Sequence, residues 1–70
     1  MFMGKSLEIL ASKIKQERRL LGISQEELSS LAGLGHTHIG RIERLEHDPK
    51  TGTIDKIARA LKVEPYTLLK

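Results

Sequence analysis

Apolar residues recur along this chain at spacings of three, four and seven, which is the period of an amphipathic helix. In the first segment, from about Ser6 to Leu21, the apolar stripe comprises Leu7, Leu10, Ala11, Ile14 and Leu21. No segment alternates apolar and polar residues for long, which argues against strands. The pattern therefore predicts an all-α protein.

Capping and turn residues mark where the first two helices begin and end. Gly22 is a candidate C-terminal cap for the first helix. Ser24–Glu27 (Ser-Gln-Glu-Glu) is a capping-box pattern that starts a second helix near Gln25, and Gly33 ends that helix. The face that the second helix is expected to bury consists of Leu28, Leu31 and Ala32.

Three more helices are predicted in the remainder of the chain. The third covers about His36–Arg44 and the fourth about Thr53–Leu61. Pro65 opens a short fifth helix, whose Leu68 and Leu69 are expected to close the core. Every connection is only a few residues long, which is typical of compact helical domains. We therefore expect a compact five-helix fold and a single domain over residues 1–70.

The segment from Gln25 to Arg44 has the residues that a helix-turn-helix requires. Gly33 can take a positive φ at the turn without a Cβ penalty, and the small Ser29 lets the two helices approach each other. The apolar residues that would fill the angle between them are Leu28, Leu34, Ile39 and Ile42. An ordinary αα-hairpin needs only some of these residues and stays open as the alternative.

Two charged residues lie on apolar helix stripes. Arg18 is in step with Ile14 and Leu21 on the first helix, and Glu43 lies beside Ile42 on the third. A lone charge on a buried stripe is costly unless it is paired. The pattern predicts an Arg18–Glu43 ion pair that locks the first helix to the third; in the alternative, both side chains extend to solvent at the core edge.

Over a larger set of residues, the sequence resembles a known family, the lambda-repressor-like Cro/repressor (XRE) helix-turn-helix proteins. The resemblance covers about Leu10–Leu69 without gaps, and the residues that carry it are Arg18, Gly22–Leu28, Ala32, Gly33, Ile39, Arg41–Arg44, Pro49 and Ile54–Leu61. It implies a five-helix bundle that binds specific DNA sequences as a dimer. It also implies that the Arg–Glu pair is structural.

The third helix carries the candidate base-reading residues. At ~100° per residue, Thr37 and Arg41 point away from the inner face, and Gly40 lies beside them. The Arg41 fork suits a guanine edge, while Thr37 offers a hydroxyl and a methyl group. By the family resemblance, His36 begins the recognition helix and contacts a base or a phosphate. His38 lies at the edge of this face, where it is equally compatible with a DNA contact and with a side chain that only meets solvent.

Four other residues are candidates for phosphate contacts. The resemblance gives this role to Gln25, at the start of the second helix, where free backbone amides also favour an anion. Arg44 lies near the end of the recognition helix, where phosphate is the nearer target. Lys50 and the backbone amides around Thr51 form a second candidate phosphate site before the fourth helix.

Three residues depart from the family pattern. Gly35 stands where the family usually has a Ser or Thr cap, and Leu45 stands where Gly usually ends the recognition helix. Gly40 lies inside that helix, at a cost of about 1 kcal/mol relative to Ala. It either lets the backbone approach DNA closely or loosens the helix in the free protein.

Composition narrows the range of functions. Lys and Arg number 12 against 9 Asp and Glu, and this net charge of +3 permits a polyanionic partner. Phe2 and Tyr66 are the only aromatic residues, too few for a surface that stacks single-stranded bases. No apolar run exceeds three residues, which excludes a membrane span or signal peptide. The absence of Cys excludes disulfides and fits a cytoplasmic location.

An enzyme is not expected. No nucleophile–base or paired-carboxylate arrangement stands out from the surface charges. His36 and His38 are two positions apart and would face different sides of a helix, so they do not easily share a metal ion. The fifth helix ends directly before Lys70, so we expect no effector domain and no regulation by a bound metabolite. We also expect no cofactor.

The preferred hypothesis is a small bacterial or phage transcriptional regulator that binds a palindromic double-stranded operator as a homodimer. Apolar groups beyond the needs of a small core are Leu45, Tyr66, Leu69 and the Phe2–Met3 end, and we expect the last helix to supply much of the dimer surface. Two alternatives stay open. One is an antitoxin-like module that neutralises a partner protein, and the other is a controller protein of a restriction-modification system.

Overall fold

The computed structural model describes the backbone of residues 2–69 and the side chains of residues 6–69. Within that range the secondary structure is entirely helical, as predicted. Four α-helices and a final 3₁₀ helix follow one another as α1 (Phe2–Leu21), α2 (Gln25–Leu31), α3 (His38–Glu43), α4 (Thr51–Leu61) and the 3₁₀ helix (Pro65–Leu69). Helix α1 contacts α3, α4 and the 3₁₀ helix, while α2 packs against α3 and α4.

Several predicted boundaries are wrong. The expected five-helix bundle has four α-helices, because the short fifth helix is a 3₁₀ helix, a form that is common in pieces as short as its five residues. Helix α3 is shorter than predicted, because a turn closed by the His38 amide and the Gly35 carbonyl (3.0 Å) occupies the positions before it. Helix α4 begins earlier, at Thr51.

The core lies where α1, α2, α3 and α4 meet over the 3₁₀ helix. Its fully buried side chains are Ile14, Leu28, Ile39, Ile42, Ile57, Leu68 and Ser29. Three leucines that were predicted to be inside are largely exposed instead: Leu21 (48%), Leu31 (64%) and Leu69 (56%). On α2 the inner face is completed by Ser29, which follows Leu28, and Leu31 is rotated away from it.

Each α-helix ends in a left-handed residue with the paired hydrogen bonds of a Schellman motif. At the end of α3, the Glu46 amide donates to the Arg41 carbonyl (2.8 Å) and the Leu45 amide to the Ile42 carbonyl (2.9 Å). The left-handed residues and their φ angles are Gly22 (70°), Gly33 (70°), Leu45 (64°) and Lys62 (63°). Glycine tolerates this φ, whereas Leu45 carries steric strain from its Cβ.

No helix within the described part of the chain is long and apolar enough to cross a membrane. Although α1 has 20 residues, charged side chains interrupt its apolar stripe.

Replacing Leu45 should separate the strain of its left-handed backbone from the contribution of its side chain to stability. Leu45→Ala removes most of the side chain but keeps the Cβ, whereas Leu45→Gly removes both. Because a left-handed residue with a Cβ costs about 1–2 kcal/mol, we expect Leu45→Gly to be about 1 kcal/mol more stable than Leu45→Ala. Urea denaturation of the two variants measures the difference. If the Ala variant is the more stable, Leu45 does not adopt the left-handed conformation.

Candidate nucleic-acid interface

Helices α2 and α3 are joined by a tight turn and a buried hydrogen bond. Gly33 makes the turn with its positive φ, and the Ser29 hydroxyl accepts a hydrogen bond of 3.1 Å from the Ile39 amide. The predicted capping box is present at the start of α2, because Ser24 Oγ accepts from the Glu27 amide (3.0 Å) and Glu27 Oε1 accepts from the Ser24 amide (2.7 Å). The orientation of α3 relative to α2 is therefore fixed by both apolar packing and hydrogen bonding.

Arg18 and Glu43 form a two-point ion pair between α1 and α3. Arg18 Nε donates to Glu43 Oε2 (2.8 Å) and Nη2 donates to Oε1 (3.0 Å). Arg18 Nη1 donates to the Ile23 carbonyl (2.9 Å) just before α2. The side chains are only 11% and 3% exposed, so they do not extend to solvent as the alternative required. The pair thus holds α1, α3 and the start of α2 together.

Gln25 belongs to the same network, which the sequence did not indicate. Its Nε2 donates to Glu43 Oε1 at 2.9 Å. One of the two amide hydrogens of Gln25 is thereby bonded, and the second is left for the predicted phosphate contact. Glu43 lies 18 positions further along the chain on a different helix, so the hydrophobic pattern of neither helix predicts that the two side chains meet.

The surroundings of Glu43 stabilise its charged form. Burial alone raises the pKa of Glu43, but the hydrogen bonds from Arg18 and Gln25 and the nearby positive charges outweigh burial and lower the pKa below its ordinary value. The hydrogen bond to Glu43 likewise raises the pKa of Arg18, against the opposing effect of burial. Both groups are therefore charged at neutral pH.

Three of the four predicted base-reading residues are exposed on or just before α3. His36 and Thr37 lie in the turn that precedes the helix, with Thr37 at its N-cap, and Arg41 lies on the outer face. Gly40 differs, because it is buried within α3. Its backbone is therefore not on the outer surface where the sequence analysis placed it.

His38 occupies an environment that differs from the solvated flank considered above. Its ring meets the ring of His47 edge to face, with centroids 4.7 Å apart. Its Nε2 is buried and has no hydrogen-bond partner within the described residues. Burial, followed by the proximity of His47 and Arg41, lowers the pKa of His38 below its ordinary value. The ring thus packs the start of α3 against the loop before α4.

The other candidate phosphate ligands lie on the surface around the two ends of that loop. Arg44 is exposed and bonded to Glu46, with Nε to Oε2 at 3.1 Å and Nη2 to Oε1 at 3.3 Å. Lys50 is the N-cap of α4, and Thr51 is the first residue of that helix; both are exposed. Backbone amides at the start of α4 precede the first intrahelical donor, that of Ile54.

Comparison with known families decides between a helix-turn-helix and an ordinary αα-hairpin. A family model described as helix-turn-helix matches residues 14–68, which include all of α2 and α3 and the buried ion pair. The chain belongs to the helix-turn-helix family. Together with the regulators described next, this membership confirms the XRE-type resemblance and shows that the chain is a DNA-binding transcriptional regulator.

Relatives of this helix-turn-helix protein include regulators from several bacteria. It is 37% identical over 62 residues to the control protein C.SmaI of Serratia marcescens, covering 89% of this chain and 74% of C.SmaI. It is 34% identical over 62 residues to the transcriptional regulator SinR of Bacillus subtilis, covering 87% of this chain but only 56% of SinR.

Two solved structures have the same helix-turn-helix fold. The hypothetical transcription factor NHTF from Neisseria superposes with a TM-score of 0.91 at 35% identity, covering 93% of this chain and 75% of NHTF. The restriction-modification controller protein C.AhdI from Aeromonas hydrophila superposes with a TM-score of 0.84 at 34% identity, covering 89% of this chain and 94% of C.AhdI.

Glu43→Gln should destabilise the fold, because Arg18 would keep its charge and lose its anionic partner. We expect the free energy of unfolding to fall by about 3 kcal/mol, as for other broken buried pairs. Urea denaturation measures this change. Glu46→Gln is the matched control, since its pair with Arg44 is more than half exposed, and its effect should stay below about 1 kcal/mol. Equal effects of the two substitutions would show that the Arg18–Glu43 pair is not buried.

The lowered pKa of His38 predicts that mild acid destabilises the fold. A free His titrates near about pH 6.5, whereas the folded protein disfavours the proton on His38. As the pH falls from about 7 to 5.5, the unfolded chain therefore takes up this proton first, and the free energy of unfolding decreases. Urea denaturation across this range should show the decrease.

His38→Gln should flatten that pH dependence, while His36→Gln, at an exposed position, should preserve it. A decrease that is equally steep in the His38→Gln variant would assign the effect to another group.

Proposed function

We propose that this regulator inserts α3 into the major groove of a double-stranded operator and reads bases with the residues at its start and on its outer face. The observation that carries the proposal is the exposure of Arg41 on the outer face of α3, and of His36 and Thr37 in the turn just before it. The opposite face of this short helix is locked to α1 and α2. Helix-turn-helix proteins read base edges mainly with the N-terminal and outward residues of this helix.

Arg41 is the principal base-reading residue in this proposal. Its planar guanidinium can donate two parallel hydrogen bonds to the O6 and N7 atoms of a guanine. Thr37 offers a hydroxyl group to a base and a methyl group to a thymine, and His36 contacts a base or an adjacent phosphate. Gly40 is buried and carries no base contact of its own.

Phosphate contacts flank the base-reading face in the proposed complex. Gln25 uses its second amide hydrogen, and Lys50 and the amides at Thr51 bind near the start of α4. Arg44 is bonded to Glu46 in the free protein, and both side chains are exposed, so a phosphate can replace the Glu46 carboxylate at little cost. These contacts fix the register of α3 without carrying sequence information.

We further propose that the regulator binds a palindromic operator as a homodimer. A single recognition helix contacts few bases, and two-fold pairing doubles the readout. Leu69 (56% exposed) and Tyr66 (60% exposed) lie together on the 3₁₀ helix, and Leu45 is 46% exposed, which supports an apolar contact between two copies. The Phe2–Met3 end, also considered for this surface, lies outside the described side chains. Sedimentation that finds only monomer, both free and on operator DNA, would refute the dimer.

A narrower candidate function is control of a restriction-modification system. The solved structure of C.AhdI is that of a restriction-modification controller protein, and the chain spans 94% of it. The relative C.SmaI is described as a control protein. The genes beside this one would decide the matter, because a controller is expected next to restriction and modification enzymes. The named relatives favour transcriptional control over the antitoxin-like alternative, for which a neighbouring toxin gene would be expected.

Arg41→Ala should weaken specific binding by about 1–3 kcal/mol if Arg41 reads a base. The comparison is between an operator selected from random duplexes and an unselected duplex of equal length, both titrated by fluorescence anisotropy. Binding to the unselected duplex should change much less, because it depends mainly on phosphate contacts. Equal losses on both duplexes would reassign Arg41 to a phosphate.

Lys50→Ala should instead weaken binding to both duplexes similarly. It should also reduce the slope of log affinity against log salt concentration by about one unit, because one phosphate contact is lost. Lys62→Ala is the control, since Lys62 lies at the far end of α4 and should leave the slope unchanged. An unchanged slope in Lys50→Ala would remove Lys50 from the DNA interface.

A further inference from the structure

Gly40 is buried in α3 beneath the ends of two polar side chains. A Cβ atom added at Gly40 would lie 3.0 Å from Gln25 Oε1 and 3.1 Å from Arg44 Nη1, both closer than ordinary van der Waals contact. In contrast, a Cβ at Gly22, Gly33, Gly35 or Gly52 would meet no atom within 4 Å. The missing side chain at position 40 therefore makes room for Gln25 and Arg44 to lie against α3.

The Gln25 amide is fixed at one end and has room at the other. Glu43 fixes its Nε2 through a hydrogen bond of 2.9 Å, and Glu43 is itself fixed by Arg18. Its Oε1 lies only 3.0 Å from the place where a Cβ of residue 40 would be, so it occupies space that glycine leaves open. Because Glu43 already binds one amide hydrogen of Gln25, the direction of the other hydrogen depends on how the planar amide group lies against Gly40.

We propose that Gly40 is a positioning residue for DNA binding, which sets the orientation of the Gln25 amide and of the Arg44 guanidinium toward the phosphate backbone. The inference rests on the proposed function of these two side chains as phosphate ligands. It replaces the direct base contact that the sequence suggested for Gly40, and it explains why a helix-weakening residue stands inside the recognition helix.

The fold should tolerate a methyl group at position 40. The atoms that a Cβ would displace are the far ends of two flexible side chains, and no backbone atom of another segment is among them. Alanine also favours the helix more than glycine does. Gly40→Ala should therefore melt at the same temperature as the parent or higher, while it binds DNA less tightly. Stability and affinity moving in opposite directions is the signature of a positioning role.

The test measures binding of the full chain to a duplex of mixed sequence by fluorescence anisotropy at fixed low salt. We expect Gly40→Ala to weaken binding about threefold to tenfold, which corresponds to one lost hydrogen bond. Gly35→Ala, at a position with open space around it, is the matched control and should bind as the parent does. In a Gln25→Ala/Arg44→Ala background, adding Gly40→Ala should have less than about a twofold effect, because its targets are gone.

A second readout uses the free protein. The side-chain amide signals of Gln25 in a ¹⁵N–¹H spectrum should move in Gly40→Ala without any DNA present, and should stay in place in Gly35→Ala. A shift of these signals together with the affinity loss supports the positioning role.

Three results would overturn the inference in distinguishable ways. If the parent binds no duplex, the proposed function fails and the positioning role fails with it. If the parent binds and Gly40→Ala binds equally well, only the positioning role fails. If Gly40→Ala loses the same factor in the doubly substituted background, Gly40 acts on binding by a route that involves neither Gln25 nor Arg44.

Discussion

The buried ion pair between Arg18 and Glu43 is the interaction on which the recognition surface depends. Helix α3 has only six residues, and a helix of that length has little stability of its own in water. Its position is set by contacts from other elements: the paired charges from α1, the hydrogen bond between Ser29 and the Ile39 amide from α2, and apolar packing beneath. Because these contacts all engage the inner face, the outer face is left free and held in a fixed orientation.

The same pair also connects the core to the protein surface. Glu43 binds Arg18 on one side and Gln25 on the other, so the charge that locks the helices together also orients a side chain proposed to contact phosphate. Gly40 completes this arrangement by leaving space beside the Gln25 amide. Structural and functional roles are therefore not separable at Glu43, and a loss of stability there would be accompanied by a change in the DNA-facing surface.

Much of this architecture could be predicted from local patterns, and the errors have identifiable causes. Helical periodicity and the capping box located α2, and two opposite charges on apolar stripes identified the ion pair. Leu31 and Leu69 are expected in the core because they are apolar, but both are exposed, whereas Ser29 and Leu68, which are also expected inside, are fully buried. The Gln25–Glu43 hydrogen bond, the buried position of Gly40 and the ring contact between His38 and His47 depend on how α2, α3 and the following loop cross, and no spacing along the chain encodes that crossing.

The proposed DNA-binding face consists of α3 and the loop before α4. A ¹⁵N–¹H titration of the protein with a duplex selected for tight binding tests this placement residue by residue. The largest shifts should cluster at His36, Thr37, Arg41 and Lys50, with little change at Leu31 and Arg59, which lie on the side formed by the ends of α2 and α4. Shifts concentrated on that second side, with the α3 signals unmoved, would show that DNA binds there instead.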